Sequence, residues 1–400
     1  MKQRLKNFPA WNAQAHLNQV VAAMPPSGIR RFFDLVSEME GAISLGVGEP
    51  DFVTPWHVRE ACIYSLESGN THYTSNKGMP ELRECICEQT RKEMGLDYDP
   101  AHEILITTGV SEAVDLAFRA TLNPGDEAIV PEPCYVAYTP DIVLAGGVPR
   151  HVPTLPEDEF RLQPETVASA VTEKTRAVLL SYPNNPTGAI MARSDLEDLA
   201  DVVVENDLLV ISDEVYAKLS YSGSHSSFAQ LEGMKERTLI LNGLSKSHAM
   251  TGWRIGYALG DPDVVGAMTK VHQYTMLCAP TMAQVAALEA MEKGDEGMLQ
   301  MRHEYDLRRR LFVSGLNRIG LSCFEPRGAF YAFPSVQATG LSSEEFAERL
   351  LKEQKVAVVP GNVFGASGEG FLRCSYATSR EELIEALDRM ETFLGGLKRC

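Results

Sequence analysis

Several features are scarce in this 400-residue sequence, and each scarcity narrows the reading. No apolar run approaches the roughly 20 residues that a bilayer-spanning helix needs. The N-terminal stretch MKQRLKNFPAWNAQ has positive charge but no apolar core behind it, so it does not read as a secretory leader. Basic charge is short: 37 Lys and Arg stand against 54 Asp and Glu, a formal net charge of −17. Nothing basic is available to neutralise phosphates along a strand, and nucleic acid is not an expected partner. Cysteines number eight, at 62, 85, 87, 134, 278, 323, 374 and 400, too thinly spread for a disulfide framework. Cys85 and Cys87 have no second pair at zinc spacing, so no metal site is expected. Together these readings describe a soluble, cytoplasmic protein with reduced thiols and no membrane partner.

What is present is an ordinary globular composition, 44% hydrophobic and 23% charged. The length suits one large and one smaller domain. From about residue 104 to 260, short apolar or β-branched runs alternate with helical patterns. The runs are ILITT, EAIVPE, GVPRHVP, RAVLLSYP, LLVISDE, TLILNG and WRIGYALG. Between them lie SEAVDLAFRATL and SDLEDLADVVVEND, the latter opening with Ser194-x-x-Glu197, which predicts a capping box. Apolar strands joined by helical crossovers predict an α/β fold with a mostly parallel, seven-stranded sheet between helices. After about residue 285 a long helical pattern leads into CFEPRGAFYAFPSV, a capped helix from Ser343, VAVVPGNVFG and FLRCSYA, the pattern of a smaller α+β domain. The expected division is 1–46 as a segment packing on the small domain, 47–285 as the large domain and 286–400 as the small one.

Ligands of an open α/β sheet bind beyond the C-terminal ends of its strands. The residues just after each run are therefore the ones to weigh. Gly109-Val110-Ser111 is a turn feeding a helix N-terminus, which is an anion site or simply an N-cap by Ser111. Asp213 closes an apolar strand, either as a helix cap, as a structural ion-pair partner, or as the carboxylate that keeps a heteroaromatic nitrogen protonated. The segment LNGLSKSHAMTGWRIGY (241–257) sets two cations, Lys246 and Arg254, among small and apolar neighbours. Lys246 is an exposed lysine or a buried amine freed for Schiff-base formation. Arg254, placed on the strand that follows, is a structural arginine or a bidentate fork on a phosphate. As a set these residues describe pyridoxal phosphate: an amine for its aldehyde, an anion for its pyridinium and donors for its phosphate.

The motifs LGVGEPDFVTP, YTSNKGMPELR, YPNNPTG, SDEVYAKLSY, SKSHAMTGWRIGY and FLRCSYA resemble those of the class I/II aminotransferases of fold type I. The resemblance is nearest to the bacterial and archaeal aspartate, aromatic and N-acetyl-diaminopimelate subgroup, and it runs over nearly the whole chain. It implies that Lys246 forms the Schiff base and shuttles the proton, and that Asp213 pairs with the pyridine nitrogen. Tyr216 and Asn185 would donate to the ring's phenolic oxygen, and Tyr135 would stack on the ring. Val110 through its backbone, Ser111, Ser245 and Arg254 are similar to the phosphate contacts. Tyr73 resembles a tyrosine that reaches the neighbouring subunit's phosphate, which implies a homodimer. Arg373 resembles the arginine that grips the substrate α-carboxylate, with Gly48 and Asn185 beside it.

The implied reaction is ping-pong transfer of an amino group between an L-amino acid and a 2-oxo acid such as 2-oxoglutarate. A β-elimination lyase of the cystathionine β-lyase kind is an alternative, although that type carries SDEIH where this chain has SDEVY. A DNA-binding regulator on the same fold is less fitting, because the first 46 residues hold no basic helix-turn-helix. For side-chain recognition, position 111 is Ser rather than a cation. Arg30 and Arg31 are candidates by position, and Tyr331 in GAFYAF is expected to line the pocket and suit aromatic or apolar side chains.

Overall fold

The computed structural model describes residues 11–26, 28 and 39–397, so Arg30 and Arg31 lie outside the described residues. In chain order the strands are β1 (Ile43–Ser44), β2 (Ile104–Thr107), β3 (Glu127–Glu132), β4 (Val148–Pro153), β5 (Thr175–Ser181), β6 (Leu209–Asp213), β7 (Thr238–Gly243) and β8 (Gly256–Leu259). They continue with β9 (Tyr331–Ala332), β10 (Val356–Ala357), β11 (Val359–Pro360) and β12 (Leu372–Ser375).

Strands β2 to β8 form one seven-stranded sheet in the order β2-β8-β7-β6-β5-β3-β4. All neighbours from β7 to β4 pair in parallel. Only β8 runs the other way, antiparallel to both β2 and β7. The interior strands are buried on both faces, so they read as continuous apolar runs. Alternate residues serve opposite layers: Val178, Leu180 and Val210 pack with Leu196, Leu199 and Val203 of the helix Arg193–Glu205. Leu179 and Ile211 pack with Val114, Ala117 and Phe118 of the helix Val110–Thr121. Each such aliphatic side chain contributes roughly 2 kcal/mol through its burial.

The helix Arg193–Glu205 starts earlier than the Ser194 capping box predicts. Its N-cap is Ala192, and the Asp195 carboxylate accepts the Ala192 N–H at 2.8 Å. Glu197 instead pairs with Arg193 one turn back, at 2.8 Å. The aspartate reaches the helix end with a shorter side chain, and the glutamate is left for the surface.

The smaller α+β part contains the antiparallel sheet β11-β12-β9 and the parallel pair β1-β10. Its core is the contact of the helices Asp295–Ile319 and Arg380–Leu397, through Phe312, Leu316, Leu387 and Met390. Through β1 the chain near residue 43 is stitched to this part, with Leu45 N–H donating to the Ala357 carbonyl at 2.8 Å. It then crosses to the large sheet, where the Thr54 hydroxyl donates to the Ala249 carbonyl at 2.6 Å. Gly46 and Gly48 therefore lie on the strap between the two parts. Among the described residues no helix is long and apolar enough to cross a membrane.

Candidate active site

Because β7, β6, β5 and β3 run parallel, the residues that follow them emerge at one edge of the sheet. These are Lys246, Asp213, Asn185 and Tyr135. The start of an antiparallel strand reaches that same edge, and this places Arg254 there. It precedes β8 rather than lying on it, as the cap of a short 3-10 turn, with φ +53°. This corrects the expectation from sequence, and the reversed direction of β8 is its cause.

The edge opens into a cavity of about 520 Å³. Its wall includes Gly48, Val110, Ser111, Tyr135, Asn185 and Asp213, and also Tyr216, Ser245, Lys246, Arg254 and Arg373. Tyr331 lines it too. Among the described residues, Tyr73 was proposed for the cofactor from the sequence and is not in this wall: it stands 81% exposed.

One end of the cavity is built for an anion. The helix Val110–Thr121 has Gly109 as its N-cap, and no side chain caps its first N–H groups. Ser111 is therefore inside the first turn and is not the cap. Gly109 has φ +78°, and a Cβ there would stand 2.6 Å from Arg254 Nη2. The missing side chain lets the guanidinium lean against the helix end, and unsatisfied N–H groups with a nearby cation make an anion cradle. Gly256 contributes as well, since a Cβ on it would lie 2.7 Å from Gly109 C and Val110 N.

At the floor, Asp213 accepts from the Tyr138 hydroxyl at 2.7 Å and from the Val215 N–H at 3.1 Å. Burial pushes its carboxyl up to about 6, while those two donors pull it back. The Tyr138 hydroxyl also lies 2.8 Å from the Ser181 hydroxyl. Neither Tyr138 nor Ser181 was singled out from the sequence. The available signal was spacing: Tyr138 stands three residues after Tyr135 in PEPCYVAY, which turns both toward one side as a helix begins.

Lys246 Nζ donates to the Gly48 carbonyl at 2.7 Å. Burial, helped by the nearby Arg373 and Arg254 charges, brings its ammonium down to about 8, with Glu49 opposing. Tyr216 and Tyr331 share a 2.8 Å hydroxyl contact, and burial first, then Tyr331, holds the Tyr216 phenol well above its ordinary range.

Arg373 is 2% exposed. Nη1 donates to Asn185 Oδ1 at 3.1 Å and Nη2 to the Gly46 carbonyl at 2.6 Å, while Nε has no partner. Its Cζ lies 4.7 Å from the Tyr331 ring centre and 4.9 Å from that of Phe364, so the guanidinium is clasped by two aromatic rings. A Cβ on Gly48 would stand 2.9 Å from the Tyr331 hydroxyl and 3.8 Å from both terminal nitrogens of Arg373. The glycine keeps that corner open.

Amine, buried carboxylate and anion cradle surround one cavity, and a phosphorylated pyridine aldehyde fits all three. The seven described cysteines are free thiols. Among the described residues, no cluster of three or more His, Cys, Asp or Glu could hold a metal ion.

Comparison with known proteins agrees with this chemistry. The family model for aminotransferase class I and II matches residues 40–390. A putative aminotransferase YugH of Bacillus subtilis is 53% identical, covering 95% of this chain and 98% of its own. Aromatic-amino-acid aminotransferase 2 of Thermococcus litoralis is 47% identical, covering 92% and 96%. The solved aspartate aminotransferase of Thermus thermophilus with maleate is 42% identical, with TM-score 0.90 over 94% of this chain and 99% of that one. By these likenesses the chain belongs to the class I and II aminotransferases, pyridoxal-phosphate-dependent enzymes that move an amino group between an amino acid and a 2-oxo acid.

Proposed function

We propose that Lys246 is the lysine that carries the cofactor and moves the substrate's proton. The observation behind this is its burial in the same cavity as Asp213 and Arg373, with an ammonium brought down to about 8. A lysine at its ordinary value would be almost wholly protonated near neutrality and could neither attack a carbonyl nor accept a proton.

Bound pyridoxal phosphate supplies an electron sink for the charge left when a proton leaves the amino acid's Cα. The chain does the rest. Asp213 would hold a positive charge on the ring nitrogen, and Tyr138 holds Asp213. Val110 N–H, Ser111, Ser245 and Arg254 would hold the phosphate. Tyr135 would pack on the ring, and Asn185 and Tyr216 would donate to its phenolic oxygen. Arg373 grips the α-carboxylate beside Gly48 and Asn185, a bidentate contact that fixes the Cα–H direction. Lys246 Nζ then takes the Cα proton and returns it on the other side of the exchange.

The active unit in this reading is a cytoplasmic homodimer in which Tyr73 reaches the neighbouring site. Its exposure, with Tyr274 at 87% and Leu277 at 40% also bare, leaves apolar surface for a second copy to cover. The division into 1–46, 47–285 and 286–400 belongs to the same proposal, with the strap at Gly46–Gly48 as the crossing point.

For substrate, the side-chain end is lined by Tyr135, Val136 and Tyr331. The cations that line the cavity, among the described residues, are Lys246, Arg254 and Arg373, each with another task. An aromatic or apolar side chain fits this wall best. The Thermococcus litoralis relative is an aromatic-amino-acid aminotransferase and the Pyrococcus abyssi one an aspartate aminotransferase. An aspartate side chain would need a cation from elsewhere, Arg30, Arg31 or the neighbouring subunit. Lys246→Ala should abolish amino transfer and the visible absorbance of the loaded protein. Transfer at the wild-type rate would refute the assignment. A panel of amino donors against 2-oxoglutarate ranks the substrates, and release of ammonia and pyruvate instead of transfer would mark the lyase alternative.

A further inference from the structure

Only one of the two rings on Arg373 comes from its own sheet. Tyr331 lies on β9, next to β12. Phe364 comes from the glycine-rich stretch PGNVFGASGEGF, and that stretch is held from the far side by the large sheet. The Phe364 carbonyl accepts the Cys134 N–H at 2.9 Å, just beyond β3. The next two residues meet Glu132, the last residue of β3. Its Oε2 accepts the Ala366 N–H at 3.1 Å, and a Cβ on Gly365 would stand 2.4 Å from its Cδ. Gly365 also has φ +122°, so glycine is required there twice over. The other oxygen, Oε1, lies 3.6 Å from His151 Nε2 on β4.

These contacts form a chain of restraint from a strand end to a substrate-binding arginine. Glu132 fixes the Gly365–Ala366 turn, the turn fixes Phe364, and the 2% exposed Phe364 ring lies against the guanidinium. A bidentate grip requires the guanidinium plane to match that of the carboxylate, and small misplacement of a gripping group is costly. Arg373 has two hydrogen bonds, to Asn185 and Gly46, and its Nε has none. Its plane is therefore set by those two bonds together with the two rings that clasp it.

We propose that Glu132 is a positioning residue for the substrate's α-carboxylate, acting through the Gly365–Ala366 turn and Phe364 on Arg373. The inference rests on Arg373 being the carboxylate grip. Glu132 is not among the residues that line the cavity, so its loss should change binding of the amino acid and leave the cofactor's surroundings intact.

The test uses the loaded, full-length enzyme with L-phenylalanine and 2-oxoglutarate. Glu132→Ala should raise KM for both substrates about tenfold, with kcat within about twofold of wild type. The visible absorbance of the bound cofactor and the melting temperature should stay put. Glu132→Gln should recover to within about threefold, because an amide oxygen still accepts the Ala366 N–H. Gly365→Ala pushes the turn away from the other side and should reproduce the KM signature; it also serves if Glu132→Ala fails to fold. Arg373→Lys tests the underlying reading. If that variant raises KM and Glu132→Ala and Gly365→Ala do not, the Glu132 inference is wrong and the grip stands. If Arg373→Lys leaves KM unchanged, the grip itself is wrong and the inference goes with it. A Glu132→Ala defect confined to kcat, cofactor absorbance or melting also overturns the positioning role.

Discussion

The Tyr138 hydroxyl donates to Asp213 Oδ2 across 2.7 Å, joining the helix Tyr138–Leu144 to the end of β6. With the Val215 N–H it draws the buried carboxyl back toward the charged form, the form the proposed pairing with the cofactor requires. Removing it in Tyr138→Phe should weaken cofactor affinity about tenfold, the cost of one lost hydrogen bond to a charged group. Titration of the cofactor-free variant with pyridoxal phosphate measures this, and unchanged affinity would show that Asp213 does not need the tyrosine.

The pH dependence of cofactor binding follows from the same carboxyl. Burial lifts Asp213 to about 6 in the folded protein, against roughly 3.9 when unfolded. Its contribution to stability is thus fully present below the unfolded value and is lost as the pH rises through about 6. Cofactor binding runs the opposite way, because it needs the anion. Affinity should fall as the pH drops below about 6, more steeply in wild type than in Asp213→Asn. The cofactor's own phosphate titrates in both proteins, so the difference between them isolates the aspartate. Parallel profiles would contradict the pairing.

Lys246 offers a second titration. With its ammonium brought down to about 8 by burial, the free amine appears as the pH rises through that value, well before exposed lysines deprotonate. Acylation of the cofactor-free protein, mapped at Lys246, should reach half its limiting rate near pH 8. A midpoint like that of surface lysines, roughly 10.4, would place the amine in water.

Gly256 sits where backbone meets backbone. A Cβ there would lie 2.7 Å from Gly109 C and Val110 N, and neither is a flexible side-chain end. Gly256→Ala should therefore cost about 1–3 kcal/mol of stability. It should also weaken cofactor binding, by moving the helix end away from Arg254. Thermal melting and a cofactor titration together check both halves. An unaltered protein would mean that the helix end can shift freely.

Much of the fold was legible because its signals are local. All seven apolar runs became strands of one sheet, since interior parallel strands must be apolar on both faces. The strand-end rule then led to Asp213, Lys246, Asn185 and Gly109. Arg254 was misplaced by its strand. In WRIGYALG it reads as part of an apolar run, but β8 is antiparallel and begins only at Gly256, and Arg254, two residues before it, takes the left-handed turn. The Ser194 box failed because Asp195 satisfies the helix end from one position further on. Tyr138 had only its spacing from Tyr135 to mark it, and Glu132 had no local mark at all. Their importance lies in partners far along the chain, Asp213 and Ala366, and nothing in a local pattern announces a contact of that reach.

The proposed bond between pyridoxal phosphate and the amine of residue 246 is covalent. Reducing the loaded protein with borohydride and mapping its peptides tests it most directly. The added pyridoxyl mass should fall on the peptide holding Lys246 and on no other. A label on another lysine, or a protein that takes up no label, would contradict it.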